Sequence, residues 1–179
     1  LIHVFLLLYC CYCFYIPVYS QNNKDNFPNK KFEQDYLFVQ KKVFENSVSA
    51  GDTNTAISAL QNILVLQPDD SIRKLSLLNL YFSSGKYKTT MQLASKYLEK
   101  DRDNISILDA YSKSAEYLGL KNDALNSYEK LFYLTDDSYY GYLMAYMQYE
   151  MFRYAECYQS TLKLFAHKNL HKKSVIVNF

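Results

Sequence analysis

His167 and His171 stand four residues apart, the spacing by which one helix face can present two imidazoles to a metal ion. No glutamate lies between them in the zinc-protease arrangement, no third ligand is evident, and the only other histidine is His3. The pair therefore reads as a solvated basic helix end, and neither a metal nor a cofactor is expected. Phosphate loops are excluded more simply, because four separated glycines allow neither G-x-G-x-x-G nor G-x-x-x-x-G-K. The acid pairs Asp69-Asp70 and Asp136-Asp137 could in principle share proton transfer, but each precedes a serine that opens an apolar-periodic segment. Helix capping accounts for them without an active site. Cys157 is the one cysteine outside the N-terminal apolar run, and nothing near it in sequence would lower a thiol pKa. It reads as a small buried helix-contact residue, no catalytic residue is expected, and the chain reads as a non-enzyme.

The elements that carry these residues follow from a period. Gly51, Gly85 and Gly119 are each 34 residues apart, and Ala56, Thr90, Ala124 and Cys157 repeat at 34, 34 and 33. Four residues after each small residue come Leu60, Ala94, Tyr128 and Thr161, and three further on Ile63, Tyr97, Leu131 and Leu164. A small residue followed at i+4 and i+7 by larger ones makes a helix stripe with a point of close approach. Glycine at a constant interval marks the same left-handed helix ending made again and again. Apolar residues at three- and four-residue spacing predict helices near 37–50, 54–66, 71–84, 87–100, 105–118, 121–134, 138–151 and 154–167. Asp69-Asp70-Ser71, Asp103-Asn104 and Asp136-Asp137-Ser138 supply side-chain oxygens for the first turns. The β-prone run Val175-Ile176-Val177 lies at the very end.

These residues resemble the tetratricopeptide repeat. In that family a helix pair carries a small residue on the first helix, a glycine at the turn, then an aromatic and an alanine on the second helix and a closing proline. Repeats beginning at Leu37, Ser71, Ile105 and Ser138 place Ser112 and Ala145 at the small position, Tyr87 and Tyr154 at the aromatic and Pro68 at the close. Phe44, Leu78, Thr53, Lys121, Arg102 and Asp136 depart from the pattern, and Phe152 replaces the fourth glycine. The resemblance covers roughly residues 37 to 168 and implies an all-α, right-handed superhelical solenoid of about four antiparallel helix pairs.

It also implies a groove lined by the first helices, which receives an extended or helical peptide. Transferred residue by residue, the groove positions are Tyr139, Tyr142, Tyr146 and Tyr149 in the fourth repeat. The third supplies Ser106, Asp109, Lys113 and Glu116, and the second Ile72, Leu75, Asn79 and Phe82. Four tyrosines on one helix face offer area and hydroxyls at low entropic cost. The plainer alternative is that the row is partly internal, packed on a neighbouring helix. The family's clamp for chaperone C-terminal carboxylates is not expected, since Lys41 fits it but Glu45, Ser76, Ser106 and Ala110 do not. The expected partner is a protein or peptide. Two other roles stay open: a docking arm of a larger enzyme or sensor that continues past Phe179, and capture of a surface carbohydrate.

Composition sets the remaining bounds. A net charge of +2 with no repeated basic stripe argues against nucleic acid. Nineteen tyrosines and no tryptophan mean that a core here is filled by rings with a polar tip. Leu1 to Tyr19 carries no Asp, Glu, Lys or Arg and reads as the apolar part of a secretory signal, with a cleavage site after Ser20. Without a basic start or an initiating Met, the sequence reads as beginning inside that signal. A retained anchor is the rival reading, and the only one that puts the chain on a membrane. Cys10, Cys11 and Cys13 lack the residues of a lipobox. The expected location is outside the cytoplasm, in a periplasm or at an outer-membrane or cell surface, and the Lys/Asn-rich sequence after Ser20 resembles exported Bacteroidetes proteins. Residues 21–34 are expected to be a polar spacer, 35–168 the repeat domain, and 169–179 a basic then apolar tail that could open a fifth repeat.

Overall fold

A computed structural model describes residues 30–166 as eight α-helices, with no strand among the described residues. They are α1 (Lys30–Ser49), α2 (Thr53–Leu66), α3 (Ser71–Ser83), α4 (Tyr87–Leu98), α5 (Ile105–Tyr117), α6 (Lys121–Thr135), α7 (Ser138–Glu150) and α8 (Tyr154–Ala166). The apolar spacing predicted all eight, and their ends fall where the punctuation is. Asp52, Asp70, Asn104 and Asp137 accept hydrogen bonds from the amides of Thr55, Arg73, Ile107 and Tyr139 at 3.0–3.2 Å, so each takes up a first-turn donor that the helix leaves bare. A hydrogen bond from the Thr55 side chain, and then the one from its amide, hold the Asp52 carboxyl below its ordinary value.

Every first helix ends in the same way. The amides of Asp52, Lys86, Leu120 and Arg153 reach back five residues to the carbonyls of Ser47, Tyr81, Ala115 and Gln148 at 2.8–2.9 Å. That bond requires a left-handed residue just before it. Gly51, Gly85 and Gly119 supply it with φ of 71–73°, and Phe152 supplies it with φ of 60°. The turn is thus made four times although glycine occurs in three of them, and the fourth places a Cβ where glycine would be unstrained.

The chain divides into two compact bodies between Lys74 and Leu75, inside the first turns of α3. In the first body α1 lies along α2, joined by a hydrogen bond of 3.1 Å from Asn62 Nδ2 to Gln40 Oε1. Ala56, Ile57, Ala59, Leu60, Ile63 and Leu66 of α2 are buried. Burying a leucine or isoleucine contributes about 2 kcal/mol relative to leaving it in water, which is what holds so short a pair together.

In the second body α5 packs on α4, α6 on α5, α7 on α6 and α8 on α7. One core cluster joins Leu78 and Ala94 to Ile107 and Ala110; a larger one gathers Leu108, Ala115, Ala124, Leu125, Tyr128, Leu131, Met144 and Met147. The small positions Ala56, Thr90 and Ala124 are fully buried. The buried hydroxyls of Thr90, Ser112 and Ser114 bond to helix carbonyls one turn back, which satisfies them without a second helix. Gly141 has a separate reason to be glycine. A Cβ there would stand 2.3 Å from Leu164 Cδ2 and 3.1 Å from a Phe132 ring carbon, so side chains of α6 and α8 both close on α7 at this point.

Two expectations need correction. Residues 30–34, read as the end of a polar spacer, are the opening turns of α1, where Glu33 carries the negative charge that suits a helix start. Cys157 occupies the fourth small position but is only partly buried, because among the described residues no helix follows α8 to cover it. His167, His171, the N-terminal apolar run, residues 21–29 of the spacer and the tail 169–179 lie outside the described residues.

Candidate functional site: the tyrosine face of α7

Tyr139, Tyr142, Tyr146 and Tyr149 project from one side of α7 because spacings of three and four keep them within a narrow arc. Tyr139 and Tyr149 are nearly half exposed, while Tyr142 and Tyr146 are partly buried. The two inner rings lie almost parallel, 12° apart with centroids at 6.5 Å. Tyr146 also rests against the larger core cluster, so the row has a fixed base and exposed ends. The edge of the Tyr139 ring meets Tyr140 at 5.4 Å, and Tyr149 meets Tyr154 at 5.7 Å. A helix scaffold with rings already held by neighbours loses little freedom on binding, which is the property a recognition surface needs.

The groove positions of α5 behave differently. Lys113 Nζ is 2.7 Å from Asp109 Oδ2, an ion pair one turn apart. The other carboxylate oxygen of Asp109 is buried and accepts no hydrogen bond. Glu116 is turned to the interior, where its Oε2 accepts a 2.5 Å hydrogen bond from the buried Tyr128 hydroxyl. Burial, then that bond, pushes the Tyr128 hydroxyl well above the usual tyrosine range. Tyr140 is pushed up to about 12, first by burial and then by the Asp109 carboxylate. Of the charges of α5, Asp109 and Lys113 are therefore paired with each other, while Glu116 is held by a neutral hydroxyl.

Phe82 on α3 belongs to a second aromatic group. Its ring meets Tyr87 edge-on at 5.1 Å and Tyr117 at 5.3 Å, and Tyr87 stacks on Tyr117 at 4.5 Å and 20°. Asn79 lies exposed on the same helix. The structure thus brings the tyrosines of α7 together as one row and pairs Asp109 with Lys113. It gives Phe82 to a cluster that includes Tyr117, which the sequence reading did not single out. An aromatic just before a turn residue, 30 positions after Tyr87, was the available signal.

On the opposite side of α7 a cleft of about 630 Å³ opens among α6, α7 and α8, lined by Phe132, Tyr133, Met144, Gln148, Gln159 and Lys163. Gln148 is buried there, with its Oε1 accepting no hydrogen bond. Among the described residues no group of three or more His, Cys, Asp or Glu could hold a metal ion, and no helix is long and apolar enough to cross a membrane.

No protein-family model matches the chain, and no curated protein matches it. Solved structures do. A crystal structure of the MamA protein superposes with a TM-score of 0.64 at 15% identity, covering 75% of this chain and 74% of that one. MamA from Desulfovibrio magneticus RS-1 gives 0.64 at 10% identity over 80% and 81%. A tetratricopeptide repeat protein from Parabacteroides merdae gives 0.66 at 16% identity, covering 79% of this chain and 56% of the other. At such identities the likeness shows the fold alone. The fold is an all-α, tetratricopeptide-like helical solenoid.

Proposed function

We propose that the chain is a non-enzymatic binding scaffold that holds a protein or peptide partner against the tyrosine face of α7, outside the cytoplasm. The observation that carries this reading is the row itself: four tyrosines on one face, two stacked against each other and two nearly half exposed. Folds of this type bind through surfaces that stacked helix pairs present. Tyrosine is also among the residue types that dominate binding energy at interfaces. Asp109 and Lys113 form a charged flank, already paired, that favours a partner of mixed charge over a strongly acidic or basic one. Export rests on the apolar segment Leu1–Tyr19 and the small residue Ser20 before a polar stretch.

The test is a quantitative pull-down from the native cells with the wild-type chain and the pair Tyr142→Ala/Tyr146→Ala, with Tyr133→Ala as an exposed control on α6. The expected result is that one or more partners are recovered by wild type and control and lost with the pair, at unchanged helix content. Equal recovery by all three overturns the tyrosine face. N-terminal sequencing of the protein from fractionated cells tests the location separately; a chain starting at Gln21 outside the cytoplasm is expected, and an uncleaved cytoplasmic chain overturns export.

A further inference from the structure

In the second body, the second helix of one repeat meets the first helix of the next through three recurring positions. The first is Tyr87 in α4, stacked on Tyr117 of α5. Its counterpart in α6, Lys121, donates to the Glu150 carboxylate and carbonyl of α7 at 3.2 and 2.9 Å. The second position holds Met91 and Leu125, and the third Leu98 and Phe132. All four pack into the cluster that contains Leu108 and Ala115 of α5 and Met144 and Met147 of α7. In α8 these three positions are Tyr154, Tyr158 and Phe165, with Leu162 alongside. Tyr158 is 63% exposed and the other three are about half exposed. The likeness extends to geometry, since Tyr154 meets Tyr149 edge-on as Tyr87 meets Phe82, at 62° and 64°. α8 turns outward the face that α4 and α6 use to take the next helix.

The complementary face is on α1. The positions by which α5 and α7 meet the preceding helix begin with Ile107 and Tyr140, both packed in the core clusters. They continue with Tyr111 and Met144, and Ser114 and Met147. In α1 the same positions are Val39, Val43 and Asn46. Val39 and Asn46 are exposed and Val43 is partly buried, whereas Ile107, Ser114, Met144 and Met147 are buried and Tyr111 and Tyr140 partly buried. α1 and α8 are therefore two open halves of one kind of joint, and α4–α5 and α6–α7 show that joint closed.

We propose that a second copy of this chain covers α8, its α1 lying on Tyr154, Tyr158, Leu162 and Phe165 in the register that α5 takes on α4. The contact uses different surfaces on the two copies. It repeats head to tail, and mass grows with concentration instead of stopping at a pair unless a ring closes. The α8 face is aromatic and aliphatic, so salt does not weaken the association as it would an ionic one.

Sedimentation equilibrium of the full chain across a wide concentration range tests this, with Tyr158→Glu blocking α8 and Val39→Glu blocking α1. Both substituted side chains are exposed, and unchanged circular dichroism and melting confirm that each variant folds. Wild type is expected to form a concentration-dependent series of masses, and each variant alone to stay monomeric. A mixture of the two variants is expected to form a dimer and nothing larger, because it contains one intact α8 and one intact α1. A wild type that stays monomeric overturns the proposal in favour of a cover from elsewhere in the chain or from another protein. Dimers that survive Val39→Glu but not Tyr158→Glu overturn it in favour of α8 pairing with itself.

Discussion

Phe152 and Gly141 exchange the roles that their residue types suggest. Phe152 sits at φ 60° with its side chain 78% exposed, so the strain of a left-handed non-glycine residue is offset by little burial. Phe152→Gly is expected to raise stability by about 1 kcal/mol, seen as a higher melting temperature, and Gly85→Ala to lower it by a similar amount. A fall in stability for Phe152→Gly would mean that the ring's edge contact with Tyr154, 6.2 Å between centroids, outweighs the strain. Gly141 lies inside a helix, where glycine ordinarily costs about 1 kcal/mol against alanine. Gly141→Ala should nonetheless destabilise by about 1–3 kcal/mol, because the added methyl meets Leu164 and Phe132 where both are packed. Neither conclusion was open to sequence. The period revealed that Phe152 stands where glycine recurs, but not that it keeps the same backbone, and nothing local to Gly141 signals a three-helix contact.

At the scale of the element, the helices were legible because their causes are local. Apolar spacing, capping oxygens and turn glycines lie within a few residues of the ends they create, and the predicted segments match α2 to α8 within two residues. The start of α1 was missed because Lys30 to Gln34 is polar enough to pass for a spacer, and a first turn needs no buried face. The site was legible only as a list. That Glu116 turns inward to Tyr128, and that Phe82 joins Tyr117, depend on neighbours about 12 and 35 residues away. Partly buried tyrosines also give the elements a shared pH dependence. Tyr97 on α4 and Tyr140 on α7 are both pushed up to about 12, mainly by burial, against an ordinary value of 10.0. Between those values the unfolded chain loses the protons that the folded chain keeps, so ionisation favours unfolding. Stability contributed by these groups is complete below pH 10 and is expected to fall as pH rises from 10 to 12. Melting temperatures across that range check the fall, and Tyr97→Phe should flatten it.

For the molecule as a whole, the repeated order of contacts sets how stability is distributed. Within the second body α6 holds Ala124, Tyr128 and Leu131 fully buried and touches helices on both sides, whereas α8 buries only Ser160 and Leu164 among its described side chains. Amide hydrogen exchange is expected to be slowest in α6 and fastest in α8, following a chain of nearest-neighbour interactions. Uniform protection across α4 to α8 would instead indicate a single cooperative core. The two joints of this body differ in chemistry as well as place: one is Tyr87 on Tyr117, the other Lys121 on Glu150. That difference works as a key. Removing the stretch that links them, 105–137, would keep the helical period yet set Tyr87 against Glu150, an aromatic face against a carboxylate. The order of the repeats is therefore written into their contacts, and a shortened chain would not inherit a matched joint.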